Sequence, residues 1–137
     1  MHYHANITRE GRSWSAVFVD APGCATLGTS RAKALTAAHE ALEGWLEAHL
    51  VAGRVPPRPD ESPGTEPVDV NPQLTVAVEL RWARQDAGLT QAELARRVGV
   101  SQQQVAKLER PGANPSIATL RKVTAALGVR LELRLVA

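Results

Sequence analysis

The sequence predicts an α+β protein with two differently built regions, and three observations support this fold class. Two segments within residues 1–30, Tyr3–Ile7 and Trp14–Val19, alternate with the period of two that is typical of β-strands. Helical spacing of apolar side chains begins near residue 31 and again near residue 74. A proline-rich stretch separates the two regions, because six of the nine prolines lie between Pro56 and Pro72. We therefore predict a ββ(β)α domain over residues 1–57, a linker over residues 58–73 and an all-α domain over residues 74–137.

The predicted N-terminal domain is a small sheet followed by one long helix. Two strands separated by a turn form a hairpin, and a second turn leads to a shorter third strand. The strands are predicted at Tyr3–Ile7, Trp14–Val19 and Cys24–Leu27. Thr29 or Ser30 caps the helix, which runs to about Val51 and ends at Gly53. The apolar face of this helix is formed by Leu35, Ala38, Leu42, Leu46 and Leu50.

The stretch over residues 58–73 is predicted to be a semi-stiff, acidic linker. Proline removes a hydrogen-bond donor and disfavours helix in the residue before it. The stretch carries one arginine and four acidic residues, for a net charge of −3. Val68–Val70 is the one candidate strand within it.

The segment Leu89–Arg110 has the form of two short helices joined by a tight turn. Thr90 and Glu93 have the spacing of a capping box at the start of the first helix. Gly99 suits the positive φ at the end of that helix, and Ser101 suits the N-cap of the next one. Two helices joined in this way predict a helix-turn-helix, whose second helix reads DNA in the major groove.

The second of these helices presents polar side chains on its outer face, and they are the candidate base-reading residues. Glutamine pairs with adenine and lysine with guanine, so Gln102, Gln103 and Lys107 suit this role. Gln91 begins the preceding helix, where it is placed to hold a phosphate. The alternative is a solvated helix surface, and the complete frame of the motif favours DNA contact instead.

Several motifs between Leu80 and Val129 occur together in one order. They are Gly88-Leu89-Thr90-Gln91, Glu93-Leu94-Ala95, Val98-Gly99-Val100-Ser101, Leu108-Glu109-Arg110, Asn114-Pro115-Ser116 and Ala126-Leu127-Gly128. This combination resembles the Cro/C1 family of phage-repressor-like helix-turn-helix proteins. The resemblance implies that Gln91 contacts phosphate and that Ser101 and Arg110 lie near the DNA backbone. It also implies that Gln102, Gln103 and Lys107 face the bases.

The N-terminal region carries a second set of motifs. They are Tyr3-x-Ala5-x-Ile7, Phe18-Val19-Asp20-Ala21-Pro22-Gly23-Cys24, Gly28-Thr29-Ser30, Ala34-Leu35, Ala41-Leu42 and Val55-Pro56-Pro57. In this combination the region resembles the HicB antitoxin family. The sequence departs from that family at Val19, where proline is common, and at Arg31 and Lys33, where acidic residues are usual.

The resemblance to HicB antitoxins implies a fold, two partners and a function. Residues 1–57 would have a truncated RNase H-like fold that binds a HicA-like ribonuclease toxin and has no catalytic role. Residues 74–137 would form a homodimer or higher oligomer that binds palindromic operator double-stranded DNA and represses its own operon. An exposed tryptophan is a typical partner anchor. The residues that we expect to contact the toxin are Trp14, Asp20, Gly23 and Cys24.

The end of the chain predicts a terminal β-strand, because Leu131, Leu133 and Leu135 alternate with charged residues. A lone strand would leave an unpaired edge. We expect it to pair with the same strand of a second subunit or with the segment near Val68–Val70.

Composition and charge suit a DNA-binding protein of the cytoplasm. Residues 1–57 are neutral, whereas residues 74–137 carry ten basic and five acidic residues, for a net charge of +5. The basic excess therefore coincides with the helix-turn-helix, as phosphate neutralisation requires. The single cysteine, Cys24, excludes an intramolecular disulfide and suits a reducing compartment. No signal-peptide pattern or bilayer-length apolar run is visible, so we expect no membrane contact.

We expect neither catalysis nor a cofactor or metal. RNase H-type cleavage needs several carboxylates that converge on metal ions. Of the acidic residues in the N-terminal half, only Asp20 falls at a strand end, where it also suits a turn. The four histidines lack metal-ligand spacing. One alternative function is a stand-alone transcription regulator whose N-terminal domain senses another protein or ligand, and a third, less favoured one is a nuclease with its own active site.

Overall fold

The computed structural model describes all 137 residues, and its elements follow the predicted order. The strands are β1 (His2–Glu10), β2 (Ser13–Phe18), β3 (Ala25–Gly28) and β4 (Glu66–Asp69). The helices are α1 (Arg31–Val51), α2 (Pro72–Asp86), α3 (Gln91–Val98), α4 (Gln102–Leu108) and α5 (Ile117–Leu127). The predicted α+β class is confirmed, with the N-terminal sheet and helix followed by an all-helical region. None of the helices is both long and apolar enough to cross a bilayer.

The four strands form one antiparallel sheet in the order β3-β2-β1-β4. Ala5 lies opposite Phe18 in the hairpin, and Tyr3 lies opposite Val68 of β4. Because side chains alternate along a strand, these residues share the face that α1 covers. The candidate strand in the proline-rich stretch is therefore real, and it completes the N-terminal sheet.

Helix α1 begins as the sequence predicts and buries nearly the predicted face, except that Ala34 is buried and the predicted Leu35 is half-buried. The Ser30 hydroxyl accepts a hydrogen bond from the Lys33 N–H at 3.1 Å, which makes Ser30 the N-cap. The buried residues of the helix are Ala34, Ala38, Leu42, Leu46 and Leu50. Gly28 brings β3 against the start of α1, because a Cβ there would lie 2.3 Å from the Ala34 backbone nitrogen.

Two hydrophobic clusters hold the chain together, and α2 contributes to both. Leu74, Val78 and Trp82 belong to the cluster formed with the sheet and α1. Leu80 belongs to the second cluster, which it forms with α3, α4 and α5. A helix presents different stripes to different neighbours, so one helix can serve two cores. The boundary at residue 74 stays a prediction about independent folding, and the structure places part of α2 in the N-terminal core.

The segment between α1 and β4 packs against the rest of the chain. The Trp82 indole N–H donates to the Pro56 carbonyl at 2.7 Å, and the Tyr3 hydroxyl donates to the Pro57 carbonyl at 2.7 Å. The guanidinium of Arg58 lies 5.4 Å from the centre of the Trp82 ring. These contacts tie the exit of α1 to both β1 and α2.

The tail after α5 forms no strand in the single chain, so the predicted terminal strand is absent from it. A strand needs a hydrogen-bonding neighbour. The tail does not pair with Val68–Val70, the partner that the sequence suggested within the chain; β4 pairs with β1 on one side and is the edge strand of the sheet on the other. Leu133 is 65% exposed. Pairing with a second subunit is the remaining alternative for this strand.

Candidate nucleic-acid interface and partner surface

Local hydrogen bonds fix both ends of α3. The Thr90 hydroxyl accepts from the Glu93 N–H at 3.1 Å, and the Glu93 carboxylate accepts from the Thr90 N–H at 3.2 Å. The hydrogen bond from the Thr90 N–H to the carboxylate lowers the pKa of Glu93. Gly99 ends the helix with φ of 84°, a conformation that glycine adopts without steric cost. The helix therefore starts and stops at the residues that the motif predicts.

A second capping box starts α4 and involves one of the three consecutive glutamines, Gln104. The Ser101 hydroxyl accepts from the Gln104 N–H at 3.2 Å, and the Gln104 side-chain oxygen accepts from the Ser101 N–H at 2.9 Å. Gln104 is thus engaged in capping. Gln102 and Gln103 are exposed and make no side-chain hydrogen bond within the chain.

The outer face of α4 brings together the candidate base-reading residues. Val105 is buried, whereas Gln102, Gln103 and Lys107 are exposed. Gln103 and Lys107 are four positions apart, so they lie on one side of the helix. The arrangement offers amide and ammonium groups along one exposed helix surface.

A buried ion cluster lies where α2 meets the end of α4. Glu109 is only 1% exposed, and its carboxylate accepts from the Arg84 guanidinium at 2.7 and 2.8 Å and from Arg81 Nε at 3.1 Å. The hydrogen bond to Glu109 raises the pKa of Arg84. The Gln91 amide also donates to this carboxylate, at 3.4 Å. The residue predicted to hold a phosphate therefore has its side chain turned partly inward.

A groove of about 780 Å³ separates α4 from α5 beside this helix surface. It is lined in part by Lys107, Arg110, Asn114, Ser116, Thr119 and Lys122. Three of these side chains are basic, so the groove suits an anionic backbone. Lys122 and Asn114 were not predicted as site residues, because both lie outside the two-helix motif. Lys122 lies on α5 and Asn114 in the loop before it, and tertiary packing brings both to the groove.

The four residues predicted to contact a toxin are divided between two places. Asp20, Gly23 and Cys24 share the loop between β2 and β3, whereas Trp14 lies near the opposite end of β2. Asp20 is buried and accepts from the His4 N–H at 2.8 Å, with His4 Nδ1 also 2.7 Å away. Cys24 is buried as well, and burial raises the pKa of its thiol to about 11. Gly23 is exposed and Trp14 is half-buried, so these two remain at the surface.

The face of the sheet that points away from α1 exposes large apolar side chains. Leu27 is 64% exposed, and Val17 and Val19 are also exposed. The register places Leu27 opposite Ser15 and Val17 opposite Ala25. Neighbouring exposed apolar side chains on a sheet suit contact with another protein. The signal in the sequence was Ala16–Val19, which is apolar at both alternating positions.

No group of three or more histidine, cysteine, aspartate or glutamate side chains is arranged to hold a metal ion. The closest contact between such groups in the N-terminal sheet is the buried pair of His4 and Asp20, hydrogen-bonded at 2.7 Å. A second, exposed pair is formed by His2 and Asp69 at 3.6 Å.

Comparison with known proteins gives matches to both regions. The helix-turn-helix family matches residues 80–133. The chain is 34% identical to "Antitoxin HicB 1" of Photorhabdus laumondii over 116 residues, which is 85% of this chain and 74% of that protein. It is 28% identical to "Antitoxin HicB 2" of the same organism over 133 residues, which is 97% of this chain and 95% of that protein. It is also 36% identical over 59 residues to the "Immunity repressor protein" of Bacillus phage phi105, covering 43% of this chain and 41% of that protein.

Proposed function

The chain belongs to the HicB antitoxin family and carries a C-terminal Cro/C1-type helix-turn-helix, and we propose that it neutralises a HicA-like, mRNA-cleaving toxin and represses its own operon. The observation that carries this proposal is the presence of two distinct surfaces on one chain. One is the exposed apolar face of the N-terminal sheet, and the other is the polar and basic outer face of α4. In this account the chain acts by binding and needs no catalytic group.

For operator binding, we propose that α4 lies in the major groove. Gln102, Gln103 and Lys107 contact bases there, since their side chains are exposed on the outer face of α4. Ser101 and Gln91 lie at the starts of the two helices and Arg110 lies at the groove beside α5. We assign these three to the DNA backbone.

Two neighbouring glutamines test this assignment. Gln103→Ala should weaken binding to the DNA upstream of the gene by about 1–3 kcal/mol and relax base preference at one position. Gln104→Ala should instead remove one capping hydrogen bond, lower folding stability by about 0.5–1.5 kcal/mol and leave base preference unchanged. Fluorescence anisotropy with the upstream duplex and its single-base variants measures affinity and base preference, and urea denaturation measures the loss of stability. Unchanged base preference in Gln103→Ala would show that the base-reading face is wrongly assigned.

For dimerisation, we propose that the tails of two subunits pair as antiparallel strands centred on Leu133. In that register Glu132 lies opposite Arg134 of the second copy, and Leu131 lies opposite Leu135. Centring on Glu132 would instead oppose like charges, which is unfavourable across strands. Two-fold pairing of this kind would present two recognition helices to successive major-groove turns, about 10 base pairs apart.

A charge swap tests the tail register. Glu132→Arg should weaken the dimer, because it opposes two arginines at two symmetry-related positions. Adding Arg134→Glu should restore it. Sedimentation or light scattering over a concentration series gives the dimer dissociation constant. Equal dimer stability in the single variant and the unmodified chain would rule out this register.

For toxin binding we propose the open face of the sheet around Val17, Val19 and Leu27, with Gly23 in the loop at one end. Trp14 alternates with Ala16 and Phe18, so its half-buried side chain lies on the opposite face, at the far end of β2. We assign Asp20 and Cys24 to shaping the β2–β3 loop from inside, because both side chains are buried. Leu27→Asp should weaken the complex with the product of the adjacent small gene. Val51→Asp is the matched control, since Val51 is an exposed apolar residue on α1 and lies away from that face. Equal losses of binding in both variants would place the contact elsewhere.

A further inference from the structure

Arg81 on α2 joins the N-terminal domain to the end of the recognition helix. It is 5% exposed, and its Nε donates to the Glu109 carboxylate at 3.1 Å while Nη2 donates to the Glu109 carbonyl at 3.3 Å. On its other side, Nη1 donates to the carbonyls of Leu50 at 3.4 Å and Arg54 at 3.0 Å. One side chain therefore holds the last turn of α1 and the residue that follows α4.

The charges of this cluster make the link between the two regions hard to break. Two arginines face the single carboxylate of Glu109, so the cluster carries one excess positive charge. That charge lies against the carbonyl end of α1, where the helix dipole is negative. Moving α1 away would leave Nη1 of a buried guanidinium without its two carbonyl acceptors, which is costly.

The same cluster lies beside residues that we assign to DNA. Glu109 is the C-cap of α4 and also accepts from the Gln91 amide. A cleft of about 540 Å³ brings Val51 of α1 next to Gln91 and Arg110. Helix α4 has only seven residues. A helix this short has little stability of its own, so its orientation depends on what holds its ends.

We propose that Arg81 is a positioning residue for DNA reading, through which the N-terminal domain becomes part of the operator-reading unit. The proposal rests on the operator-binding function proposed above. Arg81 is buried and contacts no DNA. It acts by fixing α4, Gln91 and Arg110 relative to α1, and a chain that loses this link binds operator and unrelated DNA more equally.

The test is Arg81→Met in the full chain, which leaves Glu109 paired with Arg84. Affinity is measured for the upstream operator duplex and for a shuffled duplex of the same length and composition. We expect the ratio of the two affinities to fall by about tenfold, which corresponds to one lost anchoring interaction. The slope of log Kd against log salt concentration should stay unchanged, because no phosphate contact is removed.

Arg58→Met is the matched control. Arg58 also connects the exit of α1 to α2, through Trp82 and Asp86, and it does not contact α4. Its affinity ratio should stay within about twofold of the unmodified chain. A similar loss in both variants would overturn the role of Arg81, because general loosening would then explain it.

Two further outcomes are decisive. An unchanged affinity ratio in folded Arg81→Met would overturn the inference. Should that variant fail to fold by circular dichroism, Arg81→Lys keeps the charge but lacks the forked donors that reach both sides. For Arg81→Lys we expect the ratio of operator to shuffled-duplex affinity to fall by less than the tenfold expected for Arg81→Met. An unchanged ratio in Arg81→Lys would overturn the inference. An unmodified chain without any operator preference would overturn the proposed function, and this inference with it.

Discussion

The two hydrophobic cores of this chain are formed by side chains of different size. Five of the sixteen members of the N-terminal cluster are alanines, whereas five of the eight members of the helix-turn-helix cluster are leucines. Small side chains let α1 approach the sheet closely, as Gly28 and Ala34 show. The leucine core instead lies beside a buried ion cluster around Glu109. The N-terminal core should therefore be sensitive to added atoms, and the C-terminal region to lost charge.

Removing the charge of Glu109 should have the largest effect on folding. Glu109→Gln leaves Arg81 and Arg84 without their buried carboxylate, and we expect a loss of about 3–5 kcal/mol in the free energy of unfolding. Urea denaturation followed by circular dichroism measures it. The control is Glu79→Gln, at an exposed position of α2, which should change stability by less than about 0.5 kcal/mol. Similar values for the two variants would contradict the proposed importance of the ion cluster.

Two glycines of the N-terminal domain should respond to alanine with opposite signs. Gly28→Ala forces a Cβ into the backbone of α1 and should cost about 1–3 kcal/mol. Gly44→Ala lies inside α1 with open space around it and should stabilise by about 0.5–1 kcal/mol. Thermal unfolding of the two variants compares them directly. A neutral Gly28→Ala would show that the sheet and α1 are not closely packed there.

The smallest predicted effect concerns the pH dependence of the N-terminal core. Burial raises the pKa of Cys24 from 9.0 to about 11, so the native state holds this proton more tightly than the unfolded state. Its contribution to stability is complete below pH 9 and is lost as pH rises through 11. Urea titrations across that range should therefore show a smaller decline for Cys24→Ala than for the unmodified chain. An identical decline would mean that the thiol is more accessible than the structure indicates.

Helix ends and strands were predicted most accurately where the residues that determine them are close together in the sequence. Thr90, Gly99 and Ser101 set the ends of α3 and α4 through bonds to residues a few positions away. Alternation likewise predicted the hairpin and the third strand. Gln104 could have been recognised as a capping residue from its spacing to Ser101.

The features that the sequence did not predict depend on contacts between distant residues. The sequence predicted Asp20 as a turn residue or a toxin contact. In the structure its carboxylate accepts a hydrogen bond from the backbone N–H of Asp60, forty positions away. Arg81 contacts the Leu50 carbonyl across thirty-one positions. The tail forms no strand within one chain, and its pairing with a second subunit stays a prediction. The long-range contacts of Asp20 and Arg81 follow from the tertiary packing of the fold and have no local motif.

The most direct test of the central claim is RNA cleavage by the purified product of the adjacent small gene, with this chain titrated against it. The account predicts a stable complex, loss of cleavage near one equivalent of chain, and weaker inhibition by Leu27→Asp than by Val51→Asp. Undiminished cleavage in the presence of excess chain that still binds the upstream DNA would contradict it. The chain would then be a stand-alone regulator with the form of an antitoxin.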